Sequence, residues 1–269
     1  MINLNLAGKQ AIITGSTSGI GYAIAKRMAE AGASVVVHGR TEERVARACA
    51  GLTEEVPGVE ICGQVADLAD AGAVMRLIEA VPQVDILVNN AGPTPSAPFF
   101  ETTDEEWRRY SDTYILGAVR LARHYLAKMI EQGWGRMLFS AGTTCSFTPG
   151  DTSVAQRMTA WITCKSAVLG LARGLAEIAA GTAVTVNAFI PGPSPSEEAL
   201  ISHGVLKSGR TFRDFEKDFI AGPGMSSVLR RFLRPDEIAD FVVFLASEQC
   251  SGITGAALRV DGGVIRSIL

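Results

Sequence analysis

The chain has 269 residues, enough to bury a sizeable core within one α/β domain. Its formal net charge is −3 and its pI about 5.7, with no basic block, which disfavours nucleic acid as a partner. The opening stretch, Met1 to Leu6, has neither a cationic region nor a long apolar run, and no segment approaches the length of a membrane span. The expectation is therefore a cytoplasmic protein with no secretory signal and no membrane partner.

Strand-like and helix-like segments alternate along the chain. Gln10 to Thr14 predicts a first strand and Ile20 to Ala31 a helix. Ser34 to His38 is a β-branched run closed by Gly39, and Val59 to Val65 and Val84 to Val88 predict further strands. Thr103 suits an N-cap, with Asp104, Glu105 and Glu106 placing negative charge in the first turn of a long helix that runs to Gln132 and stops at Gly133. Arg136 to Ser140 predicts a strand, Val154 to Ala180 a second long helix and Ala183 to Phe189 a strand. Pro235 opens another helix, followed by Asp236 and Glu237, and Ala256 to Val260 is a last strand. This alternation predicts a doubly wound, Rossmann-type parallel sheet with helices on both faces. No linker or repeat divides residues 1–269, so a single domain is expected. The segment 193–232 is too long for an ordinary connection, which points to a functional piece.

Five cysteines, Cys49, Cys62, Cys145, Cys164 and Cys250, are scattered without C-x-x-C spacing. That argues against a disulfide framework or a metal site and for reduced thiols. Nothing in the sequence marks Cys164, beside Lys165, as an activated thiol.

The motifs narrow the chemistry. Thr14-Gly15-Ser16-Thr17-Ser18-Gly19-Ile20-Gly21 lies between the first strand and the first helix. Such a turn lets backbone approach a pyrophosphate, and the helix N-terminus favours the negative charge. Where an acid would accept bonds from the ribose of NAD, the second strand ends in Gly39, followed by Arg40. A guanidinium suits a 2′-phosphate, so NADP(H) is expected over NAD. The alternative for Arg40 is a solvated loop cation. His38 reads as a strand-end residue.

With Asn89-Asn90-Ala91-Gly92, Lys165 and Pro191-Gly192, these motifs closely resemble the short-chain dehydrogenase/reductase family, whose chemistry rests on Tyr-x-x-x-Lys. The resemblance implies seven strands and a substrate lid at 193–232. It implies that Asp67 and Leu68 contact the adenine and that Asn90, Ala91 and Gly92 line the adenosine ribose and its surroundings. Pro191, Gly192 and Ser194 would lie at the nicotinamide end, and Lys165 would hold the nicotinamide ribose. It further implies a homodimer or homotetramer built on the two long helices, or a hetero-oligomer with an active relative.

The reaction centre departs from the family. The chain reads Trp161-Ile162-Thr163-Cys164-Lys165, so the lysine is present and the phenol is not. An indole N–H can donate a hydrogen bond but is no practical acid at neutral pH. Trp161 either contacts substrate or fills space. Alignment from the strand Gly135 to Ser140 puts Gly142 at the family's serine, whereas counting back from Trp161 gives Thr148. The loop is therefore expected to be longer than usual, and Thr143, Thr144, Ser146 or Thr148 could return a hydroxyl. The family's helix asparagine is replaced by Tyr114, in Thr113-Tyr114-Ile115-Leu116-Gly117. Tyr114 could act as a relocated acid, with Tyr110 one turn earlier as a second candidate, or both could pack between helices. In the lid, Arg210 or Arg213 could bind a carboxylate, and Phe212, Phe215 and Phe219 either line a pocket or anchor the segment.

Three functional readings follow. The first is an NADP(H)-dependent oxidoreductase acting on a carbonyl or alcohol by a rerouted proton path. The second is a non-catalytic nucleotide-binding subunit or sensor. The third is a non-redox cyclase, lyase or isomerase.

Overall fold

A computed structural model describes residues 4–93, 97–143, 152–195, 211–221 and 227–267, with backbone alone at 152–157 and 219. In chain order the elements are β1 (Gln10–Ile13), α1 (Gly19–Glu30), β2 (Ser34–Gly39), α2 (Glu42–Glu55), β3 (Ile61–Val65), α3 (Ala71–Ala80) and β4 (Ile86–Asn89). Then come α4 (Asp104–Ser111), a π-helical turn (Asp112–Leu116), α5 (Gly117–Gln132), β5 (Gly135–Ser140), α6 (Thr152–Ile178) and β6 (Val184–Pro191). The chain closes with α7 (Phe212–Ala221), α8 (Pro235–Ala246) and β7 (Ala257–Val260). The seven strands form one sheet of order β3-β2-β1-β4-β5-β6-β7, every pair parallel. The order reverses between β1 and β4, and the crevice at the carboxyl ends of those strands is where such sheets bind ligands.

Period-two side chains fill both faces of the sheet. Ile13, Val35, Val37 and Val88 pack against α1, α2 and α8, while Ile12, Val36, Leu87 and Met137 pack against α3, α5 and α6. Because both faces are covered, the strands carry near-continuous apolar runs. Among the described residues no helix is long and apolar enough to cross a membrane, and no cluster of three potential metal ligands occurs.

Thr103 caps α4 as expected: its Oγ1 accepts from the Glu106 N–H at 3.2 Å, and the Glu106 carboxylate accepts from the Thr103 N–H at 2.9 Å. Gly133 ends α5 at φ 78. The single long helix expected over 104–132 is corrected by the structure. A π-helical turn at Asp112–Leu116 splits it, and Tyr114 lies in that turn. Close packing accompanies the wider turn: a Cβ on Gly117 would stand 2.9 Å from the Leu68 carbonyl oxygen. Such turns recur at functional sites because they swing one side chain out of the ordinary helical register.

Of the lid, α7 is described, and it is anchored rather than lining the crevice. The Phe212 and Phe215 rings lie 5.8 and 6.1 Å from the Phe232 ring, and the Glu216 carboxylate accepts from the Phe232 N–H at 2.7 Å. Thr144, Ser146, Thr148, Cys145, Arg210 and the Phe219 side chain lie outside the described residues.

Candidate active site

The glycine-rich turn is held open from below. Thr14 Oγ1 accepts from the backbone N–H groups of Asn90 and Ala91 at 2.9 and 3.0 Å, tying the ends of β1 and β4 together. Asn90 Nδ2 donates to the Thr14 and Gly15 carbonyls at 3.2 and 3.4 Å. Gly15 and Gly19 adopt φ of 67 and 56, in the left-handed region. A Cβ on Gly21 would stand 2.8 Å from Asn90 Nδ2 and closer still to the Gly15 carbonyl oxygen. Ser18 caps α1 in an extended conformation without a side-chain cap bond, and the first-turn N–H groups of Gly19, Ile20 and Gly21 have no partner within the helix.

Ser16, expected to contact the nucleotide, spends its hydroxyl on the fold. It donates to the Ile13 carbonyl at 2.7 Å and accepts from the His38 N–H at 3.0 Å. His38 is buried, and its Nδ1 accepts from the Gly15 N–H at 3.1 Å. Burial pushes the imidazole pKa down to about 4, against a weaker opposing pull from the Ala66 carbonyl and Asp67. His38 is thus a neutral prop under the phosphate turn, more than the strand-end residue expected from the sequence.

A cavity of about 460 Å³ runs from this turn across the sheet ends. Gly15, Ser18, Gly39, Arg40, Asp67, Leu68, Asn90, Ala91 and Gly92 all line it, so the expected adenosine-side residues do come together. A Cβ on Gly39 would meet Thr17 Cγ2 at 2.5 Å and Val45 Cγ2 at 2.9 Å, so a side chain there would force these two methyl groups to move. Two guanidiniums in this cavity escaped the sequence reading, Arg44 and Arg109. Arg44 lies in the first turn of α2, just after the loop that carries Arg40, and reaches Ser18 Oγ at 3.5 Å. Arg109 comes from α4 across the crevice, and no local pattern marks it.

A second cavity, about 280 Å³, continues toward α6 and is lined by Ile20, Gly92, Tyr114, Gly142, Thr143, Met158, Trp161, Lys165, Pro191 and Gly192, among others. Lys165 is buried and donates to the Ser140 carbonyl at 2.5 Å. Its ammonium lies 5.0 Å from the centre of the Tyr114 ring, a cation–π distance. The Tyr114 hydroxyl donates to the Pro93 carbonyl. Burial pushes its phenol well above the ordinary range, and a hydrogen bond from Trp161 opposes that rise. Tyr110 is buried in the same aromatic cluster, away from the cavity lining. Thr143 is a buried hydroxyl on the cavity wall, whereas Gly142 offers only backbone beneath the Trp161 ring. Cys164 is buried and its thiol is pushed up by burial, so it is not an activated nucleophile.

Gly192 packs against the turn after β7, where a Cβ would meet the Asp261 carbonyl oxygen at 2.6 Å. Beside it the Ser194 hydroxyl is buried without a hydrogen-bond partner among the described residues. The Asn89 amide nitrogen is likewise unpaired among them, at a cavity of about 10 Å³ shared with Tyr114 and Lys165. The glycine cradle, the helix N-terminus and the waiting Ser194 hydroxyl together fit a nicotinamide dinucleotide.

Comparison with known proteins agrees. Residues 15–265 match the family model described as enoyl-(acyl carrier protein) reductase. The chain is 40% identical over 269 residues to the uncharacterized oxidoreductase YvaG of Bacillus subtilis, covering 99% of this chain and 100% of that protein. It is 31% identical over 267 residues to the 3-oxoacyl-[acyl-carrier-protein] reductase FabG of Aquifex aeolicus, covering 98% and 100%. Among solved structures, L-sorbose reductase from Gluconobacter frateurii, complexed with NADPH and L-sorbose, superposes with a TM-score of 0.89 at 30% identity, covering 99% of this chain and 100% of that one. The chain is an oxidoreductase built for a nicotinamide cofactor, and it belongs to the short-chain dehydrogenase/reductase family.

Proposed function

We propose that the protein is an NADP(H)-dependent oxidoreductase acting on a carbonyl or alcohol, with Tyr114 in place of the family's tyrosine as proton donor. The observation that carries this reading is the buried Lys165 ammonium over the Tyr114 ring, in a cavity continuous in its lining with the nucleotide crevice through Asn90 and Gly92. When bound, the nicotinamide supplies or accepts the hydride. Arg40 and Arg44 hold the 2′-phosphate, and Gly39 offers no carboxylate, the usual partner of an NAD ribose.

Lys165 supports the proton path by its charge. A neighbouring ammonium stabilises the phenolate that remains after Tyr114 gives up its proton. Tyr114 must exchange the Pro93 carbonyl for the substrate oxygen, and Thr143 provides a second hydroxyl on the same wall. Because burial holds the phenol protonated at neutral pH, reduction starts from the form that carries the proton. Alcohol oxidation needs the phenolate and is therefore favoured only at high pH. NADPH oxidation across a panel of ketones, aldehydes and ketoses tests the reading. Turnover in the parent chain that falls about a hundredfold in Tyr114→Phe, with NADPH affinity retained, is the expected result.

One observation favours a second reading, a nucleotide-binding subunit without turnover: the Tyr114 proton is committed to the Pro93 carbonyl. That reading expects NADPH binding with no oxidation of the nucleotide by any member of the panel.

A further inference from the structure

The nucleotide crevice carries its charge unevenly. The sheet order sets the glycine turn after β1 between the end of β2 on one side and the end of β4 on the other. Arg40 and Arg44 stand on the β2 side. On the β4 side the wall runs through Asn90, Ala91, Gly92 and Pro93, which carry no charge, until α4 and the π-helical turn bring in Arg109 and Thr113.

Arg109 is left free by its own helix. The acids one turn back on α4 are already engaged: Arg108 pairs with Glu105 at 3.0 Å and with Asp104 at 3.6 Å, and the Glu106 carboxylate closes the cap on Thr103. Arg109 is exposed, and its guanidinium has no hydrogen bond or ion pair among the described residues. Asp67 is the one carboxylate among the described residues of the cavity wall, and it accepts from the Ala69 N–H at 3.0 Å. The cavity thus holds three guanidiniums against one carboxylate. A glycine turn that opens a helix places a pyrophosphate at the helix N-terminus. The helix dipole offers about half a positive charge there, whereas both phosphates of the bridge are anionic, so the dipole alone leaves most of their charge unmatched.

We propose that Arg109 binds the pyrophosphate of the dinucleotide from the α4 side, across the crevice from the glycine turn. The phosphates then lie between neutral N–H donors on one wall and a guanidinium on the other, and α4 acts as the second jaw of the crevice. Arg109 serves NADPH and NADH alike, because both carry the pyrophosphate. Its role rests on the nicotinamide dinucleotide, and on neither the 2′-phosphate reading of Arg40 and Arg44 nor the proton path through Tyr114.

Nucleotide fluorescence titration of the full chain with NADPH and with NADH tests this. Arg109→Ala should weaken both by about tenfold and by the same factor, the loss expected for one charge-assisted contact to phosphate. Arg108→Ala removes a charge one residue away that Asp104 and Glu105 already neutralise, and should change either affinity by less than about twofold. Alanine is the best helix former and the site is exposed, so the urea midpoint of Arg109→Ala should match that of the parent. A lowered midpoint would instead give Arg109 a structural role and overturn the binding claim. Unchanged affinity for both nucleotides in Arg109→Ala overturns the proposal. So does a loss confined to NADPH, which would put Arg109 on the 2′-phosphate, and so does an equal loss in Arg108→Ala, which would mark a diffuse charge effect. If instead Arg40→Ala/Arg44→Ala weakens NADPH and NADH equally, the NADP(H) reading fails while the claim for Arg109 stands.

Discussion

On the proposed reading, Gly39 and the arginines beside it select NADP(H) over NAD. Thr17 and Val45 occupy the space a side chain at 39 would need, while Arg40 and Arg44 line the cavity at that point. A charge-assisted hydrogen bond to phosphate is worth about 1.5–3 kcal/mol. The double variant Arg40→Ala/Arg44→Ala should therefore weaken NADPH binding by at least about tenfold while changing NADH binding little, as read by nucleotide fluorescence. Equal weakening of both nucleotides would remove the 2′-phosphate role. Arg40 was legible in the sequence because it directly follows a strand end. Arg109 was not, because it enters from a helix on the other side of the crevice.

The turn between β1 and α1 and the π-helical turn after α4 do the positioning at the next scale. Gly21→Ala should damage the first: its Cβ would fall within contact distance of the Gly15 carbonyl and Asn90, backbone and amide groups that cannot swing aside. The expected cost is about 1–3 kcal/mol of stability and a loss of nucleotide affinity of tenfold or more, by urea titration and fluorescence binding. Unchanged affinity in a folded Gly21→Ala would contradict the close approach. The sheet, this turn and the Thr103 N-cap could be read from the sequence because their demands are local: apolar runs buried on both faces, glycine where φ is positive, and a hydroxyl ahead of an acidic first turn. The π-helical turn could not, because nothing in Asp112 to Leu116 differs in pattern from an ordinary helix, and Gly117 meets Leu68 only once the fold is formed. The seat of Trp161 on Gly142 was hidden for the same reason. The sequence shows two unusual residues, and only the packing of β5 against α6 joins them.

Across the whole molecule, His38 links the phosphate turn to stability. Its imidazole is neutral when folded, with a pKa of about 4 against 6.5 for the exposed group. Above pH 6.5 both states are neutral and the stability is complete. As pH falls through 6.5 the unfolded chain takes up a proton that the folded chain refuses, so stability is lost progressively down to about 4. Between pH 7 and pH 5 the loss is about 2 kcal/mol. Urea unfolding of the nucleotide-free protein checks this, with His38→Gln as the comparison. A glutamine oxygen can still accept the Gly15 N–H but does not titrate, so the variant should lose less stability over that interval. An identical loss in both proteins would assign the effect elsewhere.

On the proposed reading, a family fold with an intact nucleotide crevice moves its proton through Tyr114. The most direct measurement is the steady-state rate of NADPH oxidation by the parent chain and by Tyr114→Phe, on the same carbonyl substrate and at the same nucleotide saturation. Turnover in the parent and a loss of about a hundredfold in the variant, at unchanged NADPH affinity, are the expected results. Undiminished turnover in Tyr114→Phe, or no NADPH oxidation by the parent on any carbonyl of the panel, would contradict it.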